Sequence, residues 1–289
     1  MLEAINVSIA LPDRSRRPLL GRAPLLQIIQ DVDLTIDRGK VVGVVGESGS
    51  GKSTLGRSLL GLHRPVAGKV MLERKDFSSL SKEQLREARL KVQMIFQDSQ
   101  SSLNPRRKII DILSDPFVAN RRASRSEARK RALALLERVG MRSTHGDRYP
   151  HQLSGGQRQR VGIARAIALE PSYIVADEIV SGLDVSVQAQ VLALLRELRA
   201  ESSLGMVFIS HDLSVVRTLC DHVIVMQHGR VVEAGECTSV FNDPRNDYTK
   251  KLLRAVPLPV VEKDWLGESC GRAYETSISQ TSAVAAVLR

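Results

Sequence analysis

Short, continuous apolar runs stand at Val41-Val42-Gly43-Val44-Val45, Tyr173-Ile174-Val175-Ala176 and Met206-Val207-Phe208-Ile209. Runs of this length, bounded by polar residues, predict strands buried on both faces. A helical stretch, Val185 to Glu201, separates the last two, so the pair reads as a βαβ unit of a parallel sheet. Residues 26 to 45 read as strand, turn at Asp37-Arg38-Gly39, and strand. Val70 to Leu72 predicts another short strand. In Lys91 to Phe96 the residues Val92, Met94 and Phe96 alternate, which predicts a strand that leads to Gln97. Thr54 to Leu62 has a helical pattern. From about Ser99 to Ala168 the chain turns helical and basic, with Pro105, Pro116 and Pro150 as breaks and an amphipathic helix over Glu127 to Val139. Val223 to Met226 and Val231-Val232 predict a closing hairpin around Gly229. Past Pro257 the residues become small, polar and irregular, which predicts a mobile tail over 258–289. No internal repeat is visible.

Composition narrows the classes. A chain of 289 residues can bury a sizeable core and suits one domain with a subdomain or tail. No run of about 18 apolar residues exists, so no membrane span is expected, and no signal peptide pattern opens the chain. Three cysteines, Cys220, Cys237 and Cys270, are too few and too widely spaced for a disulfide framework or a zinc site. They suit a reducing, cytoplasmic setting. The net charge is +10. Arginines gather at Arg14, Arg16, Arg17 and Arg22 and again at Arg121, Arg122, Arg125, Arg129 and Arg131. Such clusters can meet nucleic acid or an anionic membrane face, but each arginine alone reads as part of a solvated helix face. Aromatic residues make up 3% of the chain and do not interleave with the basic ones, which argues against a base-stacking platform.

The chemistry is concentrated in a few motifs. Gly46-Glu47-Ser48-Gly49-Ser50-Gly51-Lys52-Ser53 fits the phosphate-loop pattern and lies between a predicted strand and a predicted helix. Glycines let the backbone curl until N–H groups point inward, and the helix adds its positive dipole end. Lys52 would meet the β- and γ-phosphates and the Ser53 hydroxyl would ligate Mg²⁺. Leu153-Ser154-Gly155-Gly156-Gln157 precedes a second helix, with Ser154 as its N-cap, and forms another anion site without a lysine. Taken alone it is an ordinary capped helix. Asp177-Glu178 follows the strand Tyr173 to Ala176, where Asp177 can hold Mg²⁺ and Glu178 can face an attacking water. His211 and Gln97 end two further strands, on the sheet edge where ligands sit in such folds.

The order of these elements, with Ser181-Gly182-Leu183-Asp184 between Glu178 and His211, resembles the ATP-binding subunit of ABC transporters over residues 25 to 257. The resemblance implies an α/β fold: a P-loop NTPase, RecA-like parallel-sheet core, an antiparallel β subdomain, and a helical signature-motif subdomain over about 99–168. It makes residues 1–257 the ATP-binding domain. It implies two chains closed head to tail, with ATP and Mg²⁺ held between one chain's phosphate loop and the other's signature helix. Gly46, Glu47, Ser48, Gly49, Ser50, Gly51, Lys52, Ser53 and Thr54 would then hold the nucleotide, with Ser154, Gly155, Gly156 and Gln157 acting from the second chain and Asp184 at the seam. Glu178 would be the general base, Ser53, Gln97 and Asp177 would serve the cation, and His211 and Gln97 would sense the γ-phosphate.

Finer motifs, Phe96-Gln97-Asp98-Ser99, Leu103-Asn104-Pro105-Arg106, Asp184 to Gln190, Phe241-Asn242-Asp243-Pro244-Arg245, Tyr248-Thr249 and Leu252-Leu253, resemble the peptide and nickel importer branch. That branch implies integral-membrane permease subunits, a second ATP-binding subunit (a heterodimer in preference to a homodimer), an indirect solute-binding protein, and a place on the cytoplasmic face of the cell membrane. Three departures stand out. Ile179 replaces the proline that usually follows the catalytic acid. Residues 1 to 76 hold no aromatic ring for adenine, with Ile9 near the expected place. The tail carries only Cys270, so no metal cluster is implied. Nickel or opine import stays open as an alternative to peptides, as does a soluble ATPase of the same family acting on DNA or ribosomes.

Overall fold

The structure is a computed structural model and describes residues 1–13, 23–97 and 102–255. Arg14, Arg16, Arg17, Arg22, Asp98, Ser99, Cys270 and the tail expected over 258–289 lie outside the described residues. By contacts the chain divides into Met1–Lys251 and Leu252–Arg289, and of the second unit residues 252–255, at the end of a helix, are described.

Two sheets organise the larger unit. Strands β1 (Leu2–Pro12), β2 (Leu25–Ile36), β4 (Ala67–Leu72) and β5 (Lys75–Asp76) form an antiparallel sheet in the order β2-β1-β4-β5. Strands β3 (Val41–Val45), β6 (Val92–Ile95), β7 (Tyr173–Asp177), β8 (Gly205–Ile209), β9 (His222–Gln227) and β10 (Arg230–Glu236) form the second, in the order β10-β9-β3-β8-β7-β6. All neighbours in it are parallel except the β9–β10 hairpin. Every residue of β3, β7 and β8 is buried, as their uninterrupted apolar runs require. A single cluster joins the sheets, with Leu2, Ile9, Ile29 and Ile36 on one side and Val44, Val175, Val207 and Ile209 on the other. Helix α1 (Lys52–Leu59) drives Leu55 and Leu59 into it, each fully buried and worth about 1.5–3 kcal/mol of transfer free energy.

Helices α2 (Lys82–Lys91), α3 (Ile109–Ala119), α4 (Arg125–Arg138) and α5 (Gly155–Ile167) follow, with β6 between α2 and α3. Helix α6 (Val185–Ser202) is the crossover between β7 and β8. Helices α7 (Leu213–Leu219), α8 (Cys237–Asn242) and α9 (Asp247–Arg254) complete the described chain.

Some expectations shift. Helix α1 begins two residues before Thr54 and ends before Leu62, because Gly61 turns left-handed (φ +66°) and the Leu62 N–H closes on the Arg57 carbonyl, a Schellman stop. Pro116 does not break the chain: it lies inside α3. The missing N–H removes the helical donor to the Ile112 carbonyl, yet the helix runs on for another turn, and the Pro116 carbonyl accepts both the Asn120 N–H (3.3 Å) and the Asn120 side-chain amide (2.8 Å) just before the left-handed Arg121. Helix α4 starts two residues before Glu127, where Ser124 accepts the Glu127 N–H as N-cap. The turn at 37–39 links strands of different sheets rather than closing a hairpin.

Candidate nucleotide-binding site

Parallel pairing places the functional residues in line. Strands β3, β8, β7 and β6 are consecutive neighbours and run the same way. Their carboxyl ends therefore deliver Gly46, His211, Asp177-Glu178 and Gln97 to one edge of the sheet, the edge at which open α/β sheets take ligands. Two backbone bonds extend the ladder past the strand ends: Ser210 N–H to the Val44 carbonyl (3.2 Å) and Glu178 N–H to the Ile209 carbonyl (2.9 Å).

The loop from Gly46 to Gly51 curls through positive φ at Gly46, Gly49 and Gly51. A Cβ on Gly46 would fall 2.1 Å from the Met226 carbonyl, so no other residue fits that curl. Helix α1 then starts on left-handed Gly51 with no side-chain cap and no acid in its first turn. By contrast α5, α6 and α7 are capped by Ser154, Asp184 and Asp212. The first turn of α1 thus presents N–H groups and the dipole's positive end to an outside anion. Among the described residues the Ser50 hydroxyl, buried in the loop, has no hydrogen-bond partner. Lys52 is 5% exposed and its ammonium donates to the Gly46 and Glu47 carbonyls at 2.8 and 2.7 Å. Burial pushes its pKa below the ordinary lysine value, against the pull of Glu178, Asp177 and Glu47. An incoming anion would relieve that strain on the charge.

Beside it, the Ser53 hydroxyl donates to Asp177 at 2.9 Å. Asp177 is 3% exposed, and burial lifts its carboxyl above the ordinary range; the neighbouring Glu178 lifts it further, while the Ser53 hydroxyl, Arg57 and Lys52 draw it down. A desolvated carboxylate touching a hydroxyl suits a small hard cation. Among the described residues no group of three His, Cys, Asp or Glu could hold a metal alone, so such a cation would take most of its oxygens from phosphates and water.

Glu178 adopts a left-handed backbone (φ +49°), uncommon for a residue with a side chain. This conformation begins the tight turn closed by the Ser181 N–H onto the Glu178 carbonyl. Its carboxylate meets two of the other candidates. The Gln97 amide donates to one oxygen at 2.6 Å, and His211 Nδ1 lies 3.7 Å from the other. Lys52, Ser53, Asp177, Glu178, Gln97 and His211 are therefore one constellation.

The other candidates form a second group. Ser154 caps α5 and exchanges bonds with Gln157: it accepts the Gln157 N–H at 3.3 Å, and its own N–H donates to the Gln157 amide oxygen at 3.1 Å. A Cβ on Gly156 would lie 2.4 Å from a Val187 methyl, so α5 and α6 approach closely only over glycine. Asp184 is exposed and caps α6 by accepting from Val187 N–H at 2.9 Å and the Ser186 hydroxyl at 3.1 Å; these bonds hold its carboxyl below the ordinary range. This group exposes a helix start, but its own side chains already cap it.

Two expectations need correction or completion. Ile9 is fully buried opposite Ile29 and cannot meet a base. Register shifts on either side of Val7 and Ile9, together with left-handed Asn6, turn this part of β1 into the core. Ile179, the departure after Glu178, is 1% exposed and packs in the core. One contact was not foreseen: the Tyr248 hydroxyl accepts the Glu47 N–H at 2.9 Å. Tyr248 stands in a quoted motif, but the 201 residues between the partners hide the pairing from any local pattern.

Residues 29–181 match the ABC transporter family. Among curated proteins, the chain is 44% identical over 257 residues to the dipeptide transport ATP-binding protein DppF of Escherichia coli K12, covering 89% of this chain and 76% of that protein. It is 46% identical over 242 residues to DppF of Lactococcus lactis subsp. cremoris, covering 83% and 78%. Among solved structures it is similar to the ATP-binding cassette MJ0796, a dimer in a post-hydrolysis state bound to ADP and Pi, with a TM-score of 0.71, 30% identity, and coverage of 82% of this chain and 99% of that one.

Proposed function

This chain belongs to the ABC transporter family, and we propose that it is the ATP-hydrolysing subunit of an importer for dipeptides or oligopeptides. The observation that carries the reading is the constellation at the sheet edge: an uncapped helix start with a desolvated lysine, a hydroxyl–carboxylate pair, and a second carboxylate held by an amide. The names of the relatives support peptides as the solute.

Each side chain has a part in this proposal. Gly46 to Thr54 wrap the phosphates, and Lys52 turns its ammonium to the β- and γ-oxygens. Ser53, Asp177 and Gln97 would hold Mg²⁺, which would neutralise charge on the phosphates when bound. Glu178 orients the attacking water and accepts its proton. Gln97 and His211 flank that carboxylate and report whether a γ-phosphate is present. Ser154, Gly155, Gly156 and Gln157 act on nucleotide held by a second chain, with Asp184 at the seam; the dimeric state of the similar cassette MJ0796 supports this arrangement. Among the described residues no helix is long and apolar enough to cross a membrane, so movement of solute would fall to integral-membrane permease subunits, with this chain peripheral to them at the cytoplasmic face. Residues 1–257 would work as the cassette.

The test is Glu178→Gln. The amide keeps the shape and the Gln97 contact but cannot take the water's proton, so hydrolysis should fall about 10²–10⁴-fold with ATP binding retained. Hydrolysis at the wild-type rate would remove Glu178 as the base.

A further inference from the structure

The segment from Phe241 to Thr249 has no part in the chemistry above, yet it is tied to the phosphate loop by a short chain of bonds. Glu233, in β10, accepts the N–H groups of Arg245 and Asn246 at 2.8 and 3.1 Å. The Asn246 side-chain oxygen accepts the Tyr248 N–H at 2.8 Å, which fixes the start of α9. From there the Tyr248 ring, 8% exposed, reaches the loop, and its hydroxyl accepts the Glu47 N–H at 2.9 Å. The other side of the same residue is also held, because the Glu47 carbonyl accepts from Lys52. The tip of the β9–β10 hairpin adds a third hold, from Gly229 N–H to the Ser50 carbonyl at 3.2 Å. The loop's outer side is therefore braced by residues from the C-terminal part of the chain.

We infer that Tyr248 is a positioning residue for the phosphate loop: its hydroxyl fixes the Glu47 peptide, and so sets the direction of the N–H groups that follow, before nucleotide arrives. The Glu47 N–H points at Tyr248 and the Ser50 N–H returns to the Glu47 carbonyl at 3.2 Å, so the N–H groups at the start of α1 are the ones offered to the phosphates. A glycine-rich loop left unbraced would have to order on binding, at the expense of affinity. The brace stands behind the loop, so it acts on anything that carries the phosphates and is indifferent to the base. This inference rests on the reading of residues 46–54 as a phosphate site.

Tyr248→Phe in the full chain removes only the hydroxyl. It should raise the Kd for ATP by about three- to tenfold, the scale of one neutral hydrogen bond. It should raise the Kd for ADP and for inorganic tripolyphosphate by the same factor, leave the ATP-to-GTP preference unchanged, and leave kcat at saturating ATP unchanged. An unaltered Kd, with or without a fall in melting temperature, would reduce Tyr248 to a packing residue and overturn the inference. So would a loss seen with ATP but absent with tripolyphosphate, because the ring would then be reading the base or ribose. Failure of the wild-type chain to bind ATP would instead overturn the phosphate-site reading itself.

Discussion

Lys52 concentrates the electrostatics of the site in one side chain. It is buried, its ammonium is held by two carbonyls, and burial weakens its hold on the proton. Those two carbonyls take two of the three ammonium donors, so a third can turn to an incoming anion. Lys52→Ala should therefore raise the Kd for ATP by about thirtyfold or more, from loss of a charge-assisted contact of about 2 kcal/mol. Titration calorimetry with ATP and Mg²⁺ checks this, and wild-type affinity would refute the assignment of the loop. The placement of Lys52, Ser53, Asp177 and Glu178 at one sheet edge was legible in the sequence because it depends on local spacing: a glycine curl, a helix start, and acids at the end of an apolar run. Ile9 was placed near the base by the family resemblance alone, whereas register shifts on either side of it accompany a side chain buried in the core. Tyr248 was quoted within a motif, but nothing local in the chain reveals that its hydroxyl meets Glu47.

Helices and strands here are positioned by a few polar clamps as well as by the core. The clearest is Asp221, after α7. Its carboxylate accepts the Val41 N–H at 2.7 Å and pairs with Arg199 of α6 at 2.8 Å, while Arg199 also donates to the Gly39 carbonyl at 2.8 Å. The start of β3, the strand that leads to the phosphate loop, is thus tied to α6. Burial alone would raise the Asp221 carboxyl, but the Val41 N–H and the Arg199 guanidinium outweigh it and hold the group below its ordinary value. A depressed folded-state value means that the stabilisation is complete above the unfolded pKa of about 3.9 and is lost as pH falls through the lower folded value. Asp221→Asn should accordingly cost about 1–3 kcal/mol at pH 7. Its deficit in denaturant unfolding should shrink between pH 5 and pH 3. A deficit independent of pH would assign the loss to packing instead of charge. At this scale the apolar runs of β3, β7 and β8 and the crossover helix were readable directly, since a strand covered on both faces must be apolar throughout. Helix ends were less readable: they depend on Ser124 as a cap, on the left-handed turn at Gly61, and on the Asn120 amide and left-handed Arg121 that close α3.

At the scale of the molecule, the chain carries two glycine-containing helix starts of different make-up. The phosphate loop has an uncapped helix, a lysine and the acids beside it. The Ser154 group has a capped helix start held against α6 and neither lysine nor acid among its first residues. A complete nucleotide environment in the proposed mechanism needs one group from each of two chains. Lys52, Ser154, Glu178 and His211 are all present, so in the proposed mechanism this chain would give full chemistry to a homodimer or to a heterodimer; the heterodimer is the proposed form. The arrangement of the two sheets followed from the sequence only in part. The parallel sheet announced itself through βαβ periodicity, whereas β1 has its alternation interrupted by bulges and was expected only from the family resemblance.

The central claim is that the chain is an ATPase completed by a second ATP-binding chain and by membrane subunits. Its most direct test is the specific rate of ATP hydrolysis by the purified, dilute chain, compared with the rate after reconstitution with its permease subunits and second ATP-binding chain. The account predicts a low rate alone and a marked rise on reconstitution. Full, unstimulated hydrolysis by the dilute monomer would contradict it.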